Sequence, residues 1–191
     1  MARVSLCMIA RDEHARVAQC LASVRPVVDE LIVIDTGSND DTREIARSQG
    51  ARVADFSWCD DFAAARNAAI DLASHPWVLS MDADDTVDQV NRARLGAIFA
   101  GLGEDNAGYL MQCASLGQHG TVISSVGHVR LFKNDPRIRW EHRIHEQIAA
   151  AIQRAGGCIV ATDVVVHHHG YADPGQLRRP VGIIDALMEI V

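Results

Sequence analysis

Residues 30–38, ELIVIDTGS, and residues 77–85, WVLSMDADD, decide the fold. In each, an apolar run stops on an aspartate, Asp35 in the first and Asp82 in the second. A strand covered on both faces of a parallel sheet reads as a near-continuous apolar run, whereas a half-exposed strand alternates. Working outward, short apolar runs at 4–9, 31–34, 51–56 and 77–81 alternate with segments of helical period at 14–24, 38–50, 60–73 and 87–102. That is the rhythm of βα units. The second helix is expected to stop at Gly50, the third to pack through Phe62, Ala65, Ala69 and Leu72, and the fourth through Val90, Leu95, Ile98 and Phe99. After Gly108 the texture changes to extended segments at 109–116, 121–125 and 128–132, a helix near 145–155 and a strand at 164–168. The expectation is one α/β domain over 1–191, with a nucleotide-binding half at 1–103, an acceptor-side half of mixed or antiparallel strands at 104–175 and a C-terminal helix at 176–191.

All parallel strands point the same way, so acids just past their ends gather at one rim, where open α/β sheets bind ligands. Asp35, Asp82, Asp84 and Asp85 are placed there. Clustered carboxylates repel unless a cation or solvent separates them, and oxygen ligands without thiolates suit Mg²⁺ or Mn²⁺. An EF-hand does not fit, because counting from Asp82 the sixth position is Val87 and the twelfth Ala93. Neither a Walker loop nor a GxGxxG occurs. VVVHHHGY, residues 164–171, adds three histidines, with alternation sending His167 and His169 to one face and His168 to the other. RIHEQI brings His145 and Glu146 to a helix start, where the carboxylate serves as a base or complements the helix dipole.

With 191 residues, 18 Lys plus Arg against 25 Asp plus Glu and a formal charge of -7, the chain does not suggest a nucleic-acid grip, and its only lysine is Lys133. On this reading a bound dication supplies the positive charge for any phosphate. Five scattered cysteines form no CxxC pair and read as small buried hydrophobes. No apolar run approaches the ~20 residues of a membrane helix, and the opening turns polar too soon for a secretory signal, so a cytoplasmic protein is expected.

Taken together, SLCMIARDEHARVAQCLASV, DELIVIDTGSNDDTREIARSQGARV, WCDDFAAARNAAIDLA and WVLSMDADD resemble the nucleotide-binding half of a family 2 glycosyltransferase of GT-A fold. VRLFKNDPRIRWEHRIHEQI and VHHHGY are similar to the acceptor side of its bacterial members. The resemblance runs in order over about residues 3–171. It implies a Rossmann-like, mostly parallel sheet flanked by helices, a nucleoside diphosphate sugar donor (UDP-linked), a Mn²⁺ or Mg²⁺ cofactor and inversion at the anomeric carbon. The acceptor, whether saccharide, lipid-linked glycan or peptide, stays open, as does homo-oligomerisation. The resemblance puts Asp35 at the base or ribose, Asp82 at the ribose or sugar and near the metal, Asp84 on the metal, Arg66 at the nucleotide or diphosphate, and Asp60 and Asp61 at the pocket border. His169 closes the metal site in this register, with His167 and His168 as neighbouring alternatives. Glu146 is the candidate base, with Asp85 behind it; Trp140 and Arg143 are expected on the acceptor side. Two rival readings remain: a haloacid dehalogenase-like phosphatase using DADDTV, with Asp82 as nucleophile and Asp84 as acid, and a sugar-nucleotide-binding module without turnover. Against the phosphatase, about 80 residues precede a motif that usually sits on the first strand.

Overall fold

The structure is a computed structural model that describes residues 2–105 and 107–170. The expected C-terminal helix at 176–191 lies outside the described residues. In chain order the elements are β1 (Val4–Ala10), α1 (Val17–Val24), β2 (Glu30–Asp35), α2 (Thr42–Ser48), β3 (Arg52–Asp55), α3 (Phe62–Asp71) and β4 (Trp77–Ser80). There follow β5 (Asp85–Thr86), α4 (Gln89–Ala100), β6 (Ala107–Leu116), a single 3₁₀ turn (Gln118–Gly120), β7 (Val122–Lys133), α5 (Ala149–Arg154) and β8 (Cys158–His168). All eight strands form one mixed sheet in the order β3-β2-β1-β4-β7-β6-β8-β5.

The first four strands are parallel, with Ala10 opposite Asp35 and Cys7 opposite Ser80, so Asp35 and the residues after β4 emerge at the same edge. Each face has its own core, because side chains alternate across a strand. Leu6 and Met8 pack with Leu21 of α1 and Leu95 and Phe99 of α4, while Cys7, Ile32 and Ile34 pack with Ala69 and Ile70 of α3 and with Phe132. Fully burying a side chain of this size stabilises by about 1.5–3 kcal/mol before entropy is charged, so the parallel half is anchored on both sides. Gly50 adopts φ +81 just past α2 and ends that helix as expected, since only glycine enters this region without a Cβ penalty.

Five local expectations change. Residues 121–125 and 128–132 form one strand, β7, bent at no turn because β6 supports its whole length. The helix expected at 145–155 is only α5, since His145 has φ +55 and cannot lie in a helical turn. Val90 is 61% exposed: α4 begins at Gln89, capped by Asp88 accepting from Asn91 N, and its buried stripe is Asn91, Leu95 and Phe99. Phe62 and Leu72 are half-buried, and Ala63 and Ile70 join Ala65 and Ala69 on the packed side of α3. Cys59 and Cys158 are exposed, unlike Cys7, Cys20 and Cys113. The two-residue strand β5 was not expected at all; it pairs Asp85 with His168 and Thr86 with His167. Its pairing is what closes the acidic rim against the end of β8.

Candidate active site

The rim is carried by the turn after β4. Asp85 N donates to Asp82 O at 3.0 Å, and Asp82 N donates to Asp85 Oδ2 at 2.9 Å, so the two residues brace each other. Asp82 is then gripped from both sides: Arg66 Nη2 donates to Oδ1 at 2.7 Å and Arg130 Nη2 to Oδ2 at 2.9 Å. Arg130 Nη2 also lies 3.2 Å from Asp85 Oδ2, and its Nε donates to Cys113 Sγ at 3.3 Å. Burial raises the Asp82 carboxyl, but Arg130 and Arg66 overcome it and hold it well below the usual carboxylate range. Positive charge at this site therefore comes from two buried arginines, which corrects the expectation that only a metal supplies it. Arg130 was not singled out in the sequence. The signal was there, since an arginine inside the apolar run VRLF of a central strand must meet carboxylates.

Asp84 is held differently. Its carboxyl is pushed up to about 6, first by burial and then by Asp82 and Asp85, with His168 opposing. His168 Nδ1 lies 3.0 Å from Asp85 Oδ1 and 3.3 Å from Asp84 Oδ1. The hydrogen bond to Asp85 raises the His168 pKa against burial, and Asp84 and Asp85 add to it. The three histidines find three partners on the segment after β4: His167 Nε2 lies 3.3 Å from Asp88 Oδ2, His168 meets Asp84 and Asp85, and His169 Nε2 lies 2.8 Å from Thr86 Oγ1. β8 ends at His168, so the expected alternation does not reach His169, and the histidine brought to the carboxylates is His168.

A ligand atom each from Asp82, Asp85 and His168 falls within a 4.8 Å cluster able to hold a metal ion. The charges fit a dication. Four carboxylates, Asp82, Asp84, Asp85 and Glu146, meet two guanidiniums, Arg66 and Arg130, and burial with the charges of Asp82 and Asp85 disfavours ionised Asp84. Arg130 bridges Asp82 and Asp85, while His168 sits between Asp84 and Asp85.

Two cavities meet here. One, of about 280 Å³, is walled by Ile9, Ala10, Thr36, Trp58, Phe62 and Asp84; the other, of about 330 Å³, by Ser115, His128, Arg130, Trp140, Glu146 and His168. Arg66 and Asp82 line both. Asp35 is buried beside the first: its Oδ2 accepts from Gly37 N and Ser38 N at 3.1 and 3.0 Å, and its Oδ1 has no hydrogen-bond partner. Asp61 caps α3, accepting from Ala64 N at 2.9 Å, and Asp60, at φ +57, accepts from Trp58 Nε1 at 2.8 Å. Glu146 sits in the loop before α5, its Oε1 accepting from Arg66 Nε at 2.7 Å, and Asp85 is fully buried with both oxygens engaged. Arg143 turns to the backbone of the loop before α3, donating to Asp60 O and Cys59 O at 3.0 and 3.3 Å. Asp82, with an arginine on each oxygen, is not arranged as a phosphatase nucleophile.

Comparison with known proteins points one way. The family described as Glycosyl transferase family 2 matches residues 5–147. A TPR repeat-containing protein of Synechococcus elongatus is 38% identical over 186 residues, covering 90% of this chain and 43% of its own length. An uncharacterized glycosyltransferase of Rickettsia typhi is 34% identical over 105 residues, 55% of this chain and 36% of its own. The chain thus spans less than half the length of these curated relatives. Among solved structures, S. aureus TarS 1-349 in complex with UDP-GlcNAc superposes with a TM-score of 0.67 at 14% identity, over 94% of this chain and 62% of that one. Glucosyl-3-phosphoglycerate synthase from Mycobacterium tuberculosis, in complex with Mn²⁺, UDP and glucosyl-3-phosphoglycerate, gives 0.58 at 18%, over 98% and 76%. At such identities the likeness speaks for the fold, and that fold is GT-A. No helix of the described residues is long and apolar enough to cross a membrane.

Proposed function

The chain belongs to glycosyl transferase family 2, and on that premise we propose that it moves a sugar from a nucleoside diphosphate sugar, UDP-linked, to an acceptor hydroxyl or thiol with inversion. One observation carries the reading: the two cavities share Arg66 and Asp82 in their walls, which favours a donor in one meeting a nucleophile from the other. The cavity beside Asp35 takes the nucleotide, where the unpartnered Asp35 Oδ1 accepts a hydrogen bond from base or ribose and Trp58 offers a flat wall. Arg66 faces the diphosphate. Asp84 and His168 would hold Mn²⁺ or Mg²⁺, which when bound would supply Lewis-acid stabilisation of the leaving diphosphate. Asp85 orients His168 and buttresses Asp82. Glu146, in the second cavity with Oε1 committed to Arg66, takes the acceptor proton through Oε2 as the nucleophile attacks.

Inversion by a single displacement fits these assignments: the oxygens of Asp82 and Asp85 are tied to arginines and to His168, and Glu146 and Asp84 are given to the base and the metal, so no carboxylate is left as a nucleophile for a double displacement. The test is hydrolysis of UDP-sugars with Mn²⁺, water standing in for the acceptor. Glu146→Gln is expected to lower turnover about 10²- to 10⁴-fold with UDP affinity within about twofold. Equal loss of both makes Glu146 structural, and binding without turnover across donors and acceptors points to a module that binds but does not transfer.

A further inference from the structure

Helix α3 does more than border the nucleotide. It also holds the loop that bears Glu146 and Trp140, at its N-terminus, in its middle and at its far end. Phe62 N donates to Arg143 O at 3.0 Å, and at the far end Arg139 Nη2 donates to Asp71 Oδ1 at 3.1 Å. Between them, Asn67 closes a two-way clamp on the backbone of Trp140: its Nδ2 donates to Trp140 O at 3.0 Å and its Oδ1 accepts from Trp140 N at 2.9 Å. Arg66 stands over the Trp140 ring, 5.3 Å from its centroid, and holds Glu146. The Arg66 side chain is only 12% exposed and lines both cavities, with Nε on Glu146 and Nη2 on Asp82. Its third nitrogen, Nη1, is buried with no hydrogen-bond partner. A buried guanidinium N–H without an acceptor is costly unless a ligand supplies one.

Resting on the donor and base assigned above, we propose that Arg66 and Asn67 are positioning residues that couple the two cavities, Arg66 taking a diphosphate oxygen on Nη1 and thereby fixing Glu146 and Trp140 in register with the anomeric carbon. A guanidinium is a rigid planar fork, so an acceptor on one nitrogen fixes the directions of the other two. Lysine carries the same charge on a single rotatable point and cannot hold Asp82, Glu146 and a phosphate at once. Asn67 touches neither donor nor base; it sets where the loop sits.

Three readouts test this on the full chain. First, in a Trp58→Phe background, where the remaining Trp77 is buried and lines neither cavity, adding UDP with Mn²⁺ is expected to shift tryptophan emission, and Arg66→Lys, like a Trp140→Phe control, to abolish that shift. Second, Arg66→Lys is expected to weaken UDP binding less than about tenfold while kcat for UDP-sugar hydrolysis falls about 10²-fold. Third, Asn67→Ala is expected to leave UDP affinity within about twofold and still lower kcat about tenfold, and guanidinium ion in the buffer to restore part of the rate to Arg66→Ala but none to Asn67→Ala. Thermal melts confirm that each variant is folded, and Arg66→Lys serves where Arg66→Ala is not. The proposal is overturned if Arg66→Lys lowers kcat and UDP affinity by the same factor, or if Trp140 emission ignores UDP in the unaltered helix. Should the wild type hydrolyse no UDP-sugar, the transfer reading fails while the emission shift with UDP still reports the coupling.

Discussion

The two cavities that share Arg66 are built by opposite means. The cavity beside Asp35 lies at the ends of parallel strands, of which β1, β2 and β4 are buried on both faces, and its residues enter the site because the strands stop there. The cavity lined by Glu146 is assembled from β7, the end of β8 and an irregular loop, and depends on pairings between residues far apart in sequence, such as Arg130 with Asp82 and Asn67 with Trp140. A rim set by strand ends tolerates changes in its ligands, whereas a wall set by long-range polar clamps is only as firm as each clamp.

Asp82 is where the two designs meet, and removing it should break both. Asp82→Ala leaves Arg66 and Arg130 buried without their shared partner and is expected to cost about 3–5 kcal/mol, read as a fall in urea midpoint at unchanged m-value. A loss below about 1 kcal/mol separates the cavities after all.

Asp84, two residues on, should behave in the reverse sense. Its carboxyl ionises in the fold only near pH 6, against an ordinary 3.8, so the ionised form is disfavoured. Stability is therefore expected to fall by up to about 3 kcal/mol as pH rises from 3.8 through 6 and to level off above. Asp84→Asn should flatten that slope and, without metal, leave the protein at least as stable at pH 7. With Mn²⁺ present, wild-type affinity is expected to weaken as pH drops through about 6, because protons compete for the same oxygens. Urea titrations at several pH values, with and without Mn²⁺, check both statements.

This contrast also explains what could be read from the chain. The parallel strands, their terminal aspartates and the DADD cluster follow from local apolar runs and need no knowledge of the tertiary fold. β5 is two residues long and exists only because β8 pairs with it, so the choice of His168 over His169 at the carboxylates lay beyond any alternation rule. Arg130, inside an apolar run, signalled a buried charge, but which carboxylates it meets depends on which strand lies beside β4. Val90 misled because helical period alone leaves the start of α4 uncertain by a residue or two, and the Asp88 cap settles it.

Smaller effects sharpen the comparison. A Cβ at Gly170 would fall 2.7 Å from His168 Nε2 and 3.0 Å from Asp84 Oδ2, so Gly170→Ala is expected to lower Mn²⁺ affinity several-fold, measured by calorimetry, with a melting temperature changed by less than about 3 °C. Smallest of all, Val122→Thr on the outer half of β7, where Val122 is 59% exposed, should change stability by no more than about 0.5 kcal/mol. A larger loss there would mean that this strand is covered.

The most direct measurement is an anomalous difference map from crystals grown with Mn²⁺ and UDP. The expected result is a single ion in coordination range of Asp84 and His168 and of the diphosphate, with Arg130 still bridging Asp82 and Asp85. An ion seated between Asp82 and Asp85 with Arg130 displaced, or a diphosphate bound with no ion near Asp84, contradicts the account.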